Sequence, residues 1–169
     1  TVLTVRGRGF RGLEQEDSYL EQWARSASSR TQYSDGAGAA VRATGPPDAS
    51  SCGDDVRDPN SWMPHMGTDV PDWLQVGFVR PVRVWRWRIY VSARPDAITD
   101  VELIDALGRR VRVNVNETSN ARTYRVAECA CAGSAAGGCS AVVEGYLRWQ
   151  EQPLVRGLRV TTVADGWES

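Results

Sequence analysis

Four carboxylates, Asp48, Asp54, Asp55 and Asp58, fall within eleven positions among glycines, prolines and turn-forming polar residues. A calcium ion takes roughly six to eight hard oxygens at about 2.3–2.6 Å. A loop that returns several carboxylates and carbonyls to one point supplies them. The chemistry expected of this segment is a structural Ca²⁺ site, set against a solvated acidic loop, with Asp35 as a weaker addition. The second reactive set is Cys52, Cys129, Cys131 and Cys139. An even number permits two disulfides in three pairings. Cys129 and Cys131 are too close to favour a bond with each other, so one is expected to reach Cys52 and the other Cys139. Free thiols and zinc are the alternatives; a single histidine and the lack of a CxxC count against zinc. Disulfides imply an oxidising compartment.

Aromatic and basic residues form the third set. In Trp85-Arg86-Trp87-Arg88-Ile89-Tyr90-Val91 strict alternation puts Trp85, Trp87, Ile89 and Val91 on one face and Arg86, Arg88 and Tyr90 on the other. Arg86 and Arg88 would suit carboxylated or sulfated sugars through bidentate hydrogen bonds, or would simply coat an outer face. Trp73, Trp85 and Trp87 are expected in the core. Tyr33 and Trp62 lie in irregular sequence, as do Trp149 and Trp167, where rings stack on sugars, anchor interfaces or pack at a core edge. His65, the lone histidine, sits beside Trp62 and joins the candidate ligand-binding residues. No GxSxG, HExxH or phosphate-loop motif occurs, and nothing places a nucleophile near His65. Glu102 and Asp105 are expected in and just after a strand and read as structural. A glycan-processing enzyme built on two carboxylates about 5–10 Å apart is the weakest alternative. Asn116-Glu117-Thr118 is an acceptable N-glycosylation sequon. Arg6, Arg8 and Arg11 read as a solvated basic terminus.

These residues need a scaffold, and the chain is long enough for one. It has 169 residues, 41% hydrophobic and 24% charged, as expected of one globular domain. Twenty basic residues, all arginine, face 21 acidic ones for a net charge of -1, which argues against a nucleic-acid binder working by phosphate neutralisation. No stretch approaches the length of an apolar membrane span. The amino end lacks the apolar region of a signal peptide and reads as a fragment or mature start. A short strand is expected at the amino end. Residues 13–25 fit either helical turns or an irregular strand. The Ser-, Gly-, Asp- and Pro-rich stretch 26–61 is expected to be a structured functional face. From residue 72 the pattern is β: 72–78, a break at Pro81, then 82–91, 98–104, 110–115, 123–126, 141–147 and 154–163. Short strands with turn signals, and no βαβ pattern, indicate a sandwich or barrel.

With the strands placed, an ordered series stands out. It runs Trp23-Ala24, Ser28-Ser29-Arg30-Thr31-Gln32-Tyr33-Ser34, Ala43-Thr44-Gly45-Pro46-Pro47-Asp48 and Ser61-Trp62. It continues with Trp73-Leu74-Gln75-Val76-Gly77-Phe78, Pro81-Val82, Ile89 and Val101-Glu102-Leu103-Ile104-Asp105. Over roughly residues 20 to 165 this resembles the galactose-binding-like jelly rolls of the discoidin, or coagulation factor 5/8 type C, kind. It is closest to those appended to secreted and surface proteins, including pappalysin-like ones. The resemblance implies an all-β jelly-roll sandwich of two antiparallel sheets, about eight strands, with long structured loops. It implies a usually non-catalytic domain that binds glycans, lipids or proteins through loops at one end, often with a structural Ca²⁺. The chain departs from the pattern in its cysteine loop at 129–139 and in ending where a final acidic residue and closing strand are expected.

The resulting expectation is a non-catalytic binding or adhesion module of a larger extracellular or cell-surface protein. Residues 1–19 would be an extension or first strand and 20–169 the sandwich. Its partners would be a glycan or protein, and neighbouring domains of the same parent chain, with no nucleic acid and no membrane span. The alternative is a structural interaction module without a sugar ligand, in a surface, ciliary or cytoplasmic assembly.

Overall fold

The computed structural model describes residues 2–8, 20–49, 58–65, 67, 70–113, 125–128, 141–147 and 153–163. Its strands are β1 (Val2–Arg8), β2 (Leu20–Trp23), β3 (Ser26–Ser29), β4 (Asp72–Val91), β5 (Ile98–Asp105), β6 (Arg110–Arg112), β7 (Arg125–Glu128), β8 (Ala141–Tyr146) and β9 (Leu154–Thr162). All the pairings among them are antiparallel and join in one hydrogen-bonded network, so the fold is all-β as expected. Single-turn 3₁₀ segments at Ala40–Ala43 and Pro95–Ala97 are the helical elements among the described residues.

β4 organises the network. Its first half pairs with β3 on one side and β9 on the other; its second half pairs with β1 and β8. β5 and then β6 extend outward from β9, β2 from β1, and β7 from β8. A run rich in Val, Trp, Ile, Phe and Tyr favours such a half-buried pleated strand. Buried side chains from both halves of β4, including Leu74, Val76, Val84, Trp87 and Ile89, join Val101, Leu103, Val143, Leu158 and Val160 in one hydrophobic cluster.

The sequence pattern is altered in two places. Pro81 does not end the strand. It is exposed and lies where the β4–β9 register shifts between Gly77 and Val82, a position where a missing N–H costs no ladder bond. The second change follows at Trp85. β1 places Arg6 opposite Arg86 and Gly7 opposite Val84, so Trp85 is the extra residue of a bulge. Inward positions therefore switch from Val82 and Val84 to Trp87, Ile89 and Val91. Of the three strand tryptophans expected in the core, only Trp87 is there, fully buried. Trp85 is half-buried with its ring 5.8 Å from that of Tyr146. Trp73 is half-buried under the Arg159 guanidinium, 4.1 Å above its ring. The stretch 13–25, undecided from periodicity, contains β2.

Trp87 fits only because its cross-strand neighbour is Gly145. A Cβ at Gly145 would lie 2.4 Å from the Trp87 ring. The Gly145→Ala variant is expected to lose about 1–3 kcal/mol of stability by overpacking. For a chain of this length that is a fall of roughly 2–4 °C in Tm per kcal/mol. Urea and thermal unfolding check it; an unchanged midpoint would contradict the close packing of Trp87.

Candidate functional site

The loops that precede β4 are held by its first residue. Asp72 is buried, at 2% exposure. Its Oδ1 accepts the backbone N–H of Thr31 at 3.2 Å and of Trp73 at 2.7 Å, and its Oδ2 accepts the Thr31 hydroxyl. Thr31 Oγ1 in turn accepts the His65 N–H at 2.9 Å, and the Thr31 carbonyl accepts the Trp62 indole N–H at 3.2 Å. Tyr33 N–H donates to the Met63 carbonyl at 3.0 Å and Met63 N–H to the Gly38 carbonyl at 3.1 Å. Gly38 has φ +75, and an added Cβ would lie 3.0 Å from both Tyr33 and Met63. Only glycine lets the two loops approach this closely. The segments 31–38 and 62–65 are thus stitched into one crown standing on Asp72.

Of the crown residues expected to bind ligand, Tyr33 is 44% exposed and His65 is exposed, while Trp62 is 5% exposed and serves as a packed anchor. A cavity of about 40 Å³ lies beneath, bounded by Trp62, Met63, Val91 and Thr162. That is room for a water or two, not for a sugar ring. Tyr33 and His65 therefore lie on the solvent-facing side of the crown.

Two of the four carboxylates proposed for calcium lie in the described residues. Asp58 is buried and its Oδ1 accepts the Asn60 N–H at 2.8 Å; the Asn60 side chain donates to the Asp48 carbonyl at 3.2 Å. Asn60 thus ties the Asp48 and Asp58 segments together, and both offer the hard oxygens calcium prefers. Among the described residues no three His, Cys, Asp or Glu side chains converge. Asp54, Asp55, all four cysteines and Asn116 lie outside the described residues.

Arg86 and Arg88 do share a face, but sequence reasoning missed their partner. Glu144 on β8 accepts from Arg86 at 2.5 Å and from Arg88 at 3.2 Å, with its own side chain only 8% exposed. Tyr146 donates to the other Glu144 oxygen at 3.3 Å, and the Arg86 guanidinium lies 5.1 Å from the Tyr146 ring centroid. The two cations are thus largely engaged from within. Burial pushes the Glu144 carboxyl up, but the hydrogen bonds and charges of Arg86 and Arg88 outweigh it and hold Glu144 below its ordinary value of 4.5. Only a contact across strands far apart in sequence could reveal this pairing.

Residues 13–121 match the family model described as Pappalysin-1, SD scarf domain, C-terminal. No curated protein matches the chain.

Because the folded-state pKa of Glu144 is depressed, its pairing contributes stability above the ordinary carboxylate value and loses it as pH falls through the folded value. Glu144→Gln is expected to cost about 1.5–3 kcal/mol at neutral pH. The gap between wild type and variant should close on acidification below about pH 4.5. Urea unfolding of both proteins across this range measures it; a pH-independent gap would remove the ion pair as its cause.

Proposed function

The chain belongs to the pappalysin-1 SD scarf domain family, and we propose from that premise that its crown, bearing Tyr33 and His65, is the surface that meets its partner. As an SD scarf domain the chain is a non-catalytic module with a binding or adhesion role. The observation that carries the crown reading is the stitching of two loops onto buried Asp72 and Trp62, with a large aromatic side chain left exposed at Tyr33. A pre-ordered loop surface spends little ordering entropy on binding, and a tyrosine presents rigid, amphipathic contact area to a protein or a sugar face.

The same reading extends to architecture and setting. The two halves of β4 close as the two sheets of a jelly-roll-like sandwich. Support comes from the side chains of both halves entering one core cluster, and from the two register changes in the strand that joins them. The module works at a cell surface or in the matrix, as part of a larger chain, with Cys52, Cys129, Cys131 and Cys139 oxidised and Asn116 available for glycosylation. No helix among the described residues is long and apolar enough to cross a membrane. Asp48, Asp54, Asp55 and Asp58 hold a structural Ca²⁺, a reading supported by the buried Asp58 carboxylate and by the Asn60 link to Asp48.

The double variant Tyr33→Ala/His65→Ala is expected to keep the wild-type Tm within a degree or two, because both side chains are exposed. It should lose about tenfold or more in affinity for ligands found on an immobilised glycan array or among immobilised domains of the parent chain. Retained affinity would remove the crown from the binding surface. Hits confined to protein would favour the interaction module without a sugar ligand. For the metal, thermal unfolding in Ca²⁺ and in excess EDTA should differ by several degrees, since a ligand of the folded state stabilises by mass action. Coincident melts, with no calcium by elemental analysis, would refute the calcium site.

A further inference from the structure

The outer face of the first half of β4 carries a groove of about 400 Å³ crossing β3, β4, β9 and β5. Its shape follows from register. Ser26 pairs with Gly77, Gly77 with Gly157, and Gly157 with Ile104, so one row across four strands has two glycines at its centre. Neither position has room for a side chain: a Cβ at Gly77 would lie 2.6 Å from Ser26 Oγ, and one at Gly157 would lie 2.5 Å from the Val76 carbonyl oxygen. The floor is bare backbone, and the taller neighbours stand as walls. This volume lies within the range of small-molecule sites, roughly 300–1,000 Å³.

The walls carry matched chemistry. Ser26, Ser28 and Gln75 line one side and Arg156 the other, with Ile104 as an apolar patch. Among the described residues none of these four polar side chains has a hydrogen-bond or ion-pair partner. That sets Arg156 apart from Arg86 and Arg88, which Glu144 engages. No acidic side chain is among the described lining residues. The carboxylate nearest in register, Asp105 beside Ile104 and opposite Val155, is already held by Arg109 at 2.6 Å, and Glu102, further along β5, is held by Arg110 at 3.3 Å and lies 4.0 Å from Arg159. The local charge is therefore positive, and the available groups are a planar guanidinium fork, an amide and two hydroxyls. A guanidinium fork fits a carboxylate bidentately, while amide and hydroxyls fit vicinal hydroxyl groups and Ile104 fits the C–H face of a ring.

We propose that this groove binds a pyranose unit bearing a carboxylate, with Arg156 on the carboxylate and Ser26, Ser28 and Gln75 on the ring hydroxyls. The site is separate from the crown and does not depend on Tyr33 or His65. One exposed unit of this size binds weakly, at about millimolar Kd.

The test uses the whole chain, isotopically labelled, titrated with methyl β-D-glucuronide, with methyl β-D-glucoside as its neutral counterpart, and with acetate as the carboxylate alone. The expected result is saturable shifts at the amides of Ser26, Ser28, Gln75, Gly77 and Gly157 with the glucuronide, and much weaker binding of the other two probes. Arg156→Gln should weaken the glucuronide about tenfold or more and leave the glucoside unchanged. Arg156→Lys, which keeps the charge and loses the fork, should fall between. Arg156 is exposed, and unchanged melts of both variants confirm that they fold. The Tyr33→Ala/His65→Ala variant should bind the glucuronide as wild type does, so failure of the crown reading leaves this site standing. Absence of saturable shifts, equal binding of glucuronide and glucoside, acetate binding as tight as the glucuronide, or indifference to Arg156→Gln would each overturn the proposal.

Discussion

Twenty consecutive residues, Asp72–Val91, must satisfy their backbone hydrogen bonds on both sides while keeping one set of side chains turned toward a single core. Among the described strands no neighbour is long enough to do this alone. β4 therefore takes β3 and β9 for its first half and β1 and β8 for its second. A straight period-two strand cannot serve two such pairings without turning one half outward. The shift between Gly77 and Val82 and the bulge at Trp85 absorb the mismatch, so that Leu74 and Val76 in one half and Trp87 and Ile89 in the other enter the same cluster. Everything else hangs from this strand. Its first residue, Asp72, anchors the crown, and its Gly77 forms part of the groove floor.

The electrostatics follow the same frame. With arginine as the sole strong base and acids in near balance, several outer-face charges among the described residues are settled across strands. Glu144 holds Arg86 and Arg88, Glu102 holds Arg110, and Asp100 holds Arg112 at 3.1 Å. The exposed pairs contribute little to stability, on the order of 0–1 kcal/mol each. Their larger effect is on recognition: they quench the cations that a linear reading marks as anion sites. Arg156, on the β9 side of a glycine-floored groove, has no such partner among the described residues.

Much of the architecture was legible because strand chemistry is local. Alternation placed Leu74, Val76 and Phe78 inward, and β5, β8 and β9 fall close to their expected spans, while β4 joins two strands expected to be separate. The errors are physical rather than random. Pro81 reads as a stop, yet an exposed proline at a register shift needs no partner for its missing N–H. Trp85 reads as core because alternation assumes no bulge, and one extra residue opposite Arg6 and Gly7 reverses that assumption. Trp62 by position could stack on a ligand or pack at a core edge; its indole N–H is used by the Thr31 carbonyl and its ring is buried, so it packs.

The all-β class, the inward face of the first half of β4, the irregular loops before it and the family resemblance were legible in the amino-acid chain alone. Each depends on residue type and short-range period. It took the folded arrangement to bring Thr31 and His65 together above Asp72, to set Glu144 between Arg86 and Arg88, to seat Trp87 against Gly145, and to join Gly77 and Gly157 in a groove floor. These partners lie tens of residues apart, and their meeting depends on strand register. Register is set by the summed fit of a whole core and its hydrogen bonds, a sum that no local pattern contains.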